Sequence, residues 1–148
     1  MSRKVFEVGL SLAQTTGARL MLLHILSSED KDYPTPLIYS GLEYAPSAEP
    51  VLKAYQEKVK KFEQQGVEFL RSLKEEATKA GVKTEFKQTF GYPGQNICEE
   101  APTWAAELII LGSRGLTGLK EMWLGSVSNY VTHHAPCSVL IVRQDAEN

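Results

Sequence analysis

The chain reads as an α/β protein, an open parallel sheet with helices on both faces. Three observations lead there. Helical and strand-like patterns alternate along the sequence. Most of the strand-like stretches are short continuous apolar runs, the mark of strands covered on both faces. The run Glu107-Leu108-Ile109-Ile110-Leu111 enters a glycine-rich stretch that leads directly into another helical pattern, an order typical of such layered folds.

The elements follow in order. Residues 3–16 place Val5, Val8, Gly9, Leu12 and Ala13 on one helical face, and Gly17 suits the C-terminal stop. Arg19 to Leu26 is apolar and bounded by polar residues, a buried strand. Residues 27–49 mix Ser, Asp, Pro and Tyr without period, so an irregular loop is expected. Loops of that length in compact domains tend to be functional or mobile. From Val51 to Ala80 an apolar stripe recurs at Leu52, Tyr55, Val59, Phe62, Phe69, Leu73, Ala77 and Ala80, broken only by Gly66, which predicts a long amphipathic helix.

Val82 to Phe90 alternates apolar and charged residues, the pattern of a half-exposed strand near a sheet edge. Gly91-Tyr92-Pro93-Gly94 turns into a helix over 94–105, then comes the strand Glu107–Leu111. After the glycine stretch a short helix spans 126–134. Ala135-Pro136 breaks it, and Cys137 to Val142 is the last strand.

Bulk composition excludes several classes. A length of 148 residues fits one domain over 1–148 with a substantial core. Sixteen basic and 18 acidic residues give a net charge of −2, so no basic surplus points to a nucleic-acid partner. No apolar run approaches the roughly 20 residues that span a bilayer, and with no basic-then-apolar-then-small order after Met1 an export signal is not expected. The two cysteines, Cys98 and Cys137, make neither a disulfide framework nor metal-ligand spacing. Cys137 is expected as a buried thiol, and the cytoplasm as the compartment.

The most informative segment is Gly112-Ser113-Arg114-Gly115, nine further residues after Gly115, then Gly125-Ser126. Glycines let backbone approach an anion closely, and the free N–H groups at a helix start carry partial positive charge. A strand, a glycine loop and a helix in that order predict a phosphate cradle. The plain alternative is that these glycines only make turns.

The stretch Leu108 to Val142 resembles the universal stress protein family. Its nucleotide-binding members show G-x2-G-x9-G-S/T, a pattern that Gly112, Gly115, Gly125 and Ser126 fill without a gap. Leu22-Leu23-His24-Ile25, Gly91-Tyr92-Pro93 and Pro136 to Val142 also look like that family's strands and turns, so the likeness covers nearly the whole chain. It implies a Rossmann-like, adenine nucleotide alpha-hydrolase-like sheet of order 3-2-1-4-5 that binds ATP or AMP. It also implies a dimer.

Under that resemblance each site residue acquires a role. The backbone of Leu111 and Gly112 lines the ribose, and Gly115 lets the loop wrap the phosphates. Gly125, Ser126 and Val127 present N–H groups at the start of the last helix, with the Ser126 hydroxyl as a further donor. Ile25 meets the adenine through its backbone. All lie outside the carboxyl ends of strands, where open parallel sheets bind ligands. Arg114 either pairs with a phosphate as a planar fork or stays a solvated loop arginine. ATP, AMP or ADP would be the ligand, with Mg2+ held mainly through the phosphates.

Relatives open with an apolar first strand and an acidic loop residue, whereas here the first helix follows Met1 at once. The expectation is a gap between the strands Arg19–Leu26 and Glu107–Leu111. Either the start is internal to a longer frame or trimmed, or the sheet closes over the gap or borrows a strand from a partner.

Other residues have plain explanations. His24 suits a hydrogen-bonded core position, His133 and His134 face a helix C-terminus, and Trp104 and Trp123 suit packing or an interface. Lys58, Lys60 and Lys61 suit a solvated helix face, and the segment 33–50 either a lid or a mobile loop. No nucleophile–base pair or carboxylate dyad stands out, so turnover is expected to be at most slow ATP hydrolysis. The last strand, Ser138-Val139-Leu140-Ile141-Val142, is an apolar edge that invites pairing with a second copy. The competing functional class is a dimeric stress or interaction protein that binds no nucleotide.

Overall fold

The computed structural model describes residues 2–30, 32–34, 48–113 and 125–143. Eight elements alternate: α1 (Arg3–Thr16), β1 (Leu20–Leu26), α2 (Ala48–Lys79), β2 (Thr84–Phe90), α3 (Pro93–Thr103), β3 (Leu108–Ser113), α4 (Ser126–His134) and β4 (Ser138–Arg143). The α/β class with parallel strands is as expected. β1 pairs β2 in parallel, Leu20 opposite Thr84 through Leu26 opposite Phe90. β3 pairs β4 in parallel, Leu108 opposite Ser138 through Ser113 opposite Arg143. Among the described residues no ladder joins β1 to β3, so the strands form two half-sheets rather than one closed sheet.

Two apolar clusters cover opposite faces. Phe6 and Ala13 of α1 meet Leu70, Leu73 and Ala77 of α2 over Leu22. Ala101 of α3 and Val131 of α4 pack with Ile109 of β3 on the other side. Ser2 caps α1, its Oγ accepting from Val5 N at 3.4 Å, and Gly17 closes that helix in the left-handed region at φ 71°. Arg3 links α1 to α2 through two bonds to Glu76, of 2.7 and 2.6 Å.

Several boundaries and faces differ from expectation. The face of α1 turns by one residue, burying Val5, Phe6, Gly9 and Ala13 while Leu12 is exposed. α2 starts at Ala48, so the irregular segment expected over 27–49 ends earlier. Leu70, not Phe69, is fully buried, and Leu52 stays 52% exposed. Helical spacing allows either neighbour at the margin of an apolar stripe; contact with β1 and β2 selects between them. Gly66 breaks the stripe for a steric reason: a Cβ there would stand 2.2 Å from Gln88 Oε1 and 3.1 Å from His24 Nδ1.

Candidate functional site

β3 runs two residues further than its apolar run suggests. Gly112 and Ser113, expected in the loop, are the last strand residues, opposite Val142 and Arg143. The glycine has no Cβ to pack, but the ladder to β4 still holds its backbone. Arg114 and Gly115 lie outside the described residues.

The chain re-enters at Gly125, the N-cap of α4, with φ −57° and ψ 158° and no side-chain cap bond. The first helical hydrogen bond is Asn129 N to Gly125 O, at 2.9 Å. Helix geometry therefore gives the N–H groups of Ser126, Val127 and Ser128 no acceptor within the helix, which leaves a concentration of donors. Ser128 is the residue that sequence reasoning missed. Its buried hydroxyl donates to Gly112 O at 3.0 Å and fastens the first turn of α4 to the end of β3. The only sequence signal was its place one turn into a helix that follows a glycine pair.

Leu111, Gly112, Gly125, Ser126 and Val127 are thus brought together by β3 and α4. Ile25 is on the other half-sheet, one residue before the end of β1. Leu20 N donates to Lys83 O, and Leu26 O accepts from Gly91 N, each at 2.9 Å. Even-numbered residues of β1 therefore face β2, and the backbone groups of Ile25 point away from it, since strand backbones alternate. The turn after β2 depends on Gly91, whose φ of 154° suits glycine alone and where a Cβ would stand 2.6 Å from Asn96 Oδ1.

His24 is a hydrogen-bonded strand histidine, its Nδ1 2.9 Å from Gln88 Oε1. His134 stacks on Tyr130 at 4.1 Å, and its Nδ1 lies 2.8 Å from Tyr130 O. Lys58, Lys60 and Lys61 are exposed. Cys98 and Cys137 are half-buried against the α3–α4 cluster, and burial pushes both thiols up. Tyr33 packs its ring on Phe62 and Phe90, with centroids at 5.6 and 5.7 Å, and burial raises its hydroxyl pKa. Trp123 and most of the segment 33–50 lie outside the described residues. Among the described residues no helix is long and apolar enough to cross a membrane.

Comparison with known proteins bears on this arrangement. The universal stress protein family profile matches residues 1–143. A universal stress protein of Synechocystis sp. is 34% identical over 143 residues, 97% of this chain and 90% of that one. A universal stress protein family protein from Arabidopsis thaliana, solved with AMP bound, shares the fold at TM-score 0.60 and 23% identity, covering 97% of this chain and 78% of that one. A universal stress protein solved in complex with cAMP does so at TM-score 0.55 and 23% identity, covering 95% and 85%. The strand–glycine–helix unit and a family match over nearly the full length agree: the chain belongs to the universal stress protein family.

Proposed function

We propose that this chain binds an adenine nucleotide, ATP or its AMP and ADP forms, and works as a nucleotide-dependent switch or partner-binding module in the stress response. One observation carries the reading. The Ser128 Oγ to Gly112 O bond keeps the open amides of Ser126 and Val127 beside the end of β3. Relatives that share the fold and hold AMP or cAMP support an adenylate as the ligand.

In this reading the phosphates lie on the Gly125, Ser126 and Val127 amides, with the Ser126 hydroxyl adding a donor. The Leu111–Gly112 backbone lines the ribose, and Gly115 wraps the phosphates. Arg114 is placed in the sequence to fork onto an anion. The backbone of Ile25, turned away from β2, offers one donor and one acceptor to the adenine edge. Mg2+ would be held through the phosphates. The protein would act in the cytoplasm as a homodimer paired along Ser138 to Val142.

Calorimetric titration with ATP, with and without magnesium, tests this. Gly125→Val should weaken binding by at least about tenfold with an unchanged circular dichroism spectrum, because a branched side chain occupies the anion's approach. No heat from the unmodified chain, or equal binding by the variant, overturns the assignment. A dimer that takes up no adenylate would instead fit the competing reading, an interaction protein without nucleotide. Phosphate release above buffer background would add an ATPase activity.

A further inference from the structure

The turn from β2 into α3 is tied to β1 on one side and to α4 on the other. Gly91 N donates to Leu26 O, the last residue of β1, at 2.9 Å. Three residues on, Gly94 of α3 lies against Tyr130 of α4, where a Cβ would stand 2.8 Å from Tyr130 Cδ1. Tyr130 stands one helical turn after Ser126, whose N–H is among the open amides of α4. Tyr92 lies between these two attachments.

The backbone that carries Tyr92 is fixed. Pro93 follows it and confines it to extended conformations, here φ −91° and ψ 111°. Tyr92 O accepts from Asn96 N at 2.9 Å, the first helical bond of α3. The side chain has no comparable task. As the N-cap of α3 it makes no cap bond, at a position that favours Ser, Thr, Asp and Asn. At 67% it is the most exposed large apolar side chain among the described residues. Phe90 comes next in exposure, and its ring meets Tyr33. A rigid backbone thus presents an aromatic ring that the fold does not use.

We infer that Tyr92 covers the face of the nucleotide base and sets a preference for purines. The inference rests on the adenylate reading above. There the backbone of Ile25 meets the base edge, and backbone groups that read an edge leave the ring face open to water. An aromatic side chain supplies the missing cover. Stacking removes apolar area of both rings from water and needs no particular hydrogen-bond pattern. Connectivity puts Tyr92 within reach: Ile25 precedes Leu26, Leu26 bonds Gly91, and Gly91 precedes Tyr92. The contribution comes from the ring, so the phenol oxygen is dispensable. A two-ring purine offers more area to it than a one-ring pyrimidine, which ranks ATP above CTP.

The test titrates the full chain calorimetrically with ATP and CTP, each with magnesium, and with inorganic tripolyphosphate. Tyr92→Ala should weaken ATP at least about fivefold and CTP less. Tripolyphosphate should bind as before, because the phosphate amides are untouched. Tyr92→Phe should bind ATP as the unmodified chain does. In the ATP-saturated chain, nuclear Overhauser contacts should join the Tyr92 ring protons to adenine H2 or H8. Equal ATP binding by Tyr92→Ala, or absence of those contacts, would overturn the inference and leave the nucleotide reading standing. So would an equal loss for tripolyphosphate, which means a displaced turn, or a loss in Tyr92→Phe as large as in Tyr92→Ala, which means a hydroxyl bond. Losses of equal size for ATP and CTP would overturn the purine preference. No ATP binding by the unmodified chain would overturn the nucleotide reading itself, and this inference with it.

Discussion

Gly94 sits where α3 meets α4, and a Cβ there would stand 2.8 Å from Tyr130 Cδ1 and 3.1 Å from Tyr130 Cβ. The same ring stacks on His134 with centroids 4.1 Å apart, so a retreat would disturb that contact too. Gly94→Ala should therefore cost about 1–3 kcal/mol as overpacking, read as a lower denaturant midpoint at unchanged slope. An unchanged midpoint would show that the two helices separate at little cost. Gly66 differs, because the atom in the way is the flexible end of Gln88. Moving that amide breaks its contact with His24 and its bond to Glu63 O, which opposes the gain of about 1 kcal/mol from alanine in a helix. Cys98 and Cys137 carry thiols raised by burial, so both stay protonated at neutral pH and poor as nucleophiles.

Between elements, the exposed link from α1 to α2 responds to pH. Hydrogen bonding to Arg3 holds the Glu76 carboxyl below its ordinary value of 4.5 and raises the Arg3 guanidinium. A carboxyl with a depressed folded-state pKa stabilises above its unfolded value, and that contribution disappears as pH falls through the folded value. Exchange protection of α1 should thus be constant above pH 4.5 and fall below it, and Arg3→Gln should remove that part of the fall. Solvent screens the pair, so added salt should also flatten it. An identical acid profile in the variant would mean that apolar contacts alone dock α1.

Across the described residues, β4 pairs with β3 on one side, and no other described strand meets Ser138 to Val142 on the other side, which leaves an edge there. Light scattering at rising concentration should give the mass of two chains. A monomer throughout would remove the proposed dimer and leave that edge unexplained.

Much of this architecture is visible in local patterns. The three-four rhythm of α2, the apolar runs of β1 and β4 and the alternation of β2 each follow from neighbours a few residues apart. The strand–glycine–helix order around Gly112 and Gly125 was legible for the same reason, with β3 ending at Ser113 and α4 starting at Ser126. Where two adjacent residues fit an apolar face, periodicity cannot choose. Phe6 over Val8 and Leu70 over Phe69 were settled by what packs against them from distant parts of the chain. Gly112 belongs to a strand because β4 offers it a ladder partner, and Ser128 matters because its hydroxyl reaches Gly112 O. The composition of each strand carries its burial, but the direction of its backbone groups depends on pairing. That pairing turns the backbone groups of Met21, Leu23 and Ile25 away from β2.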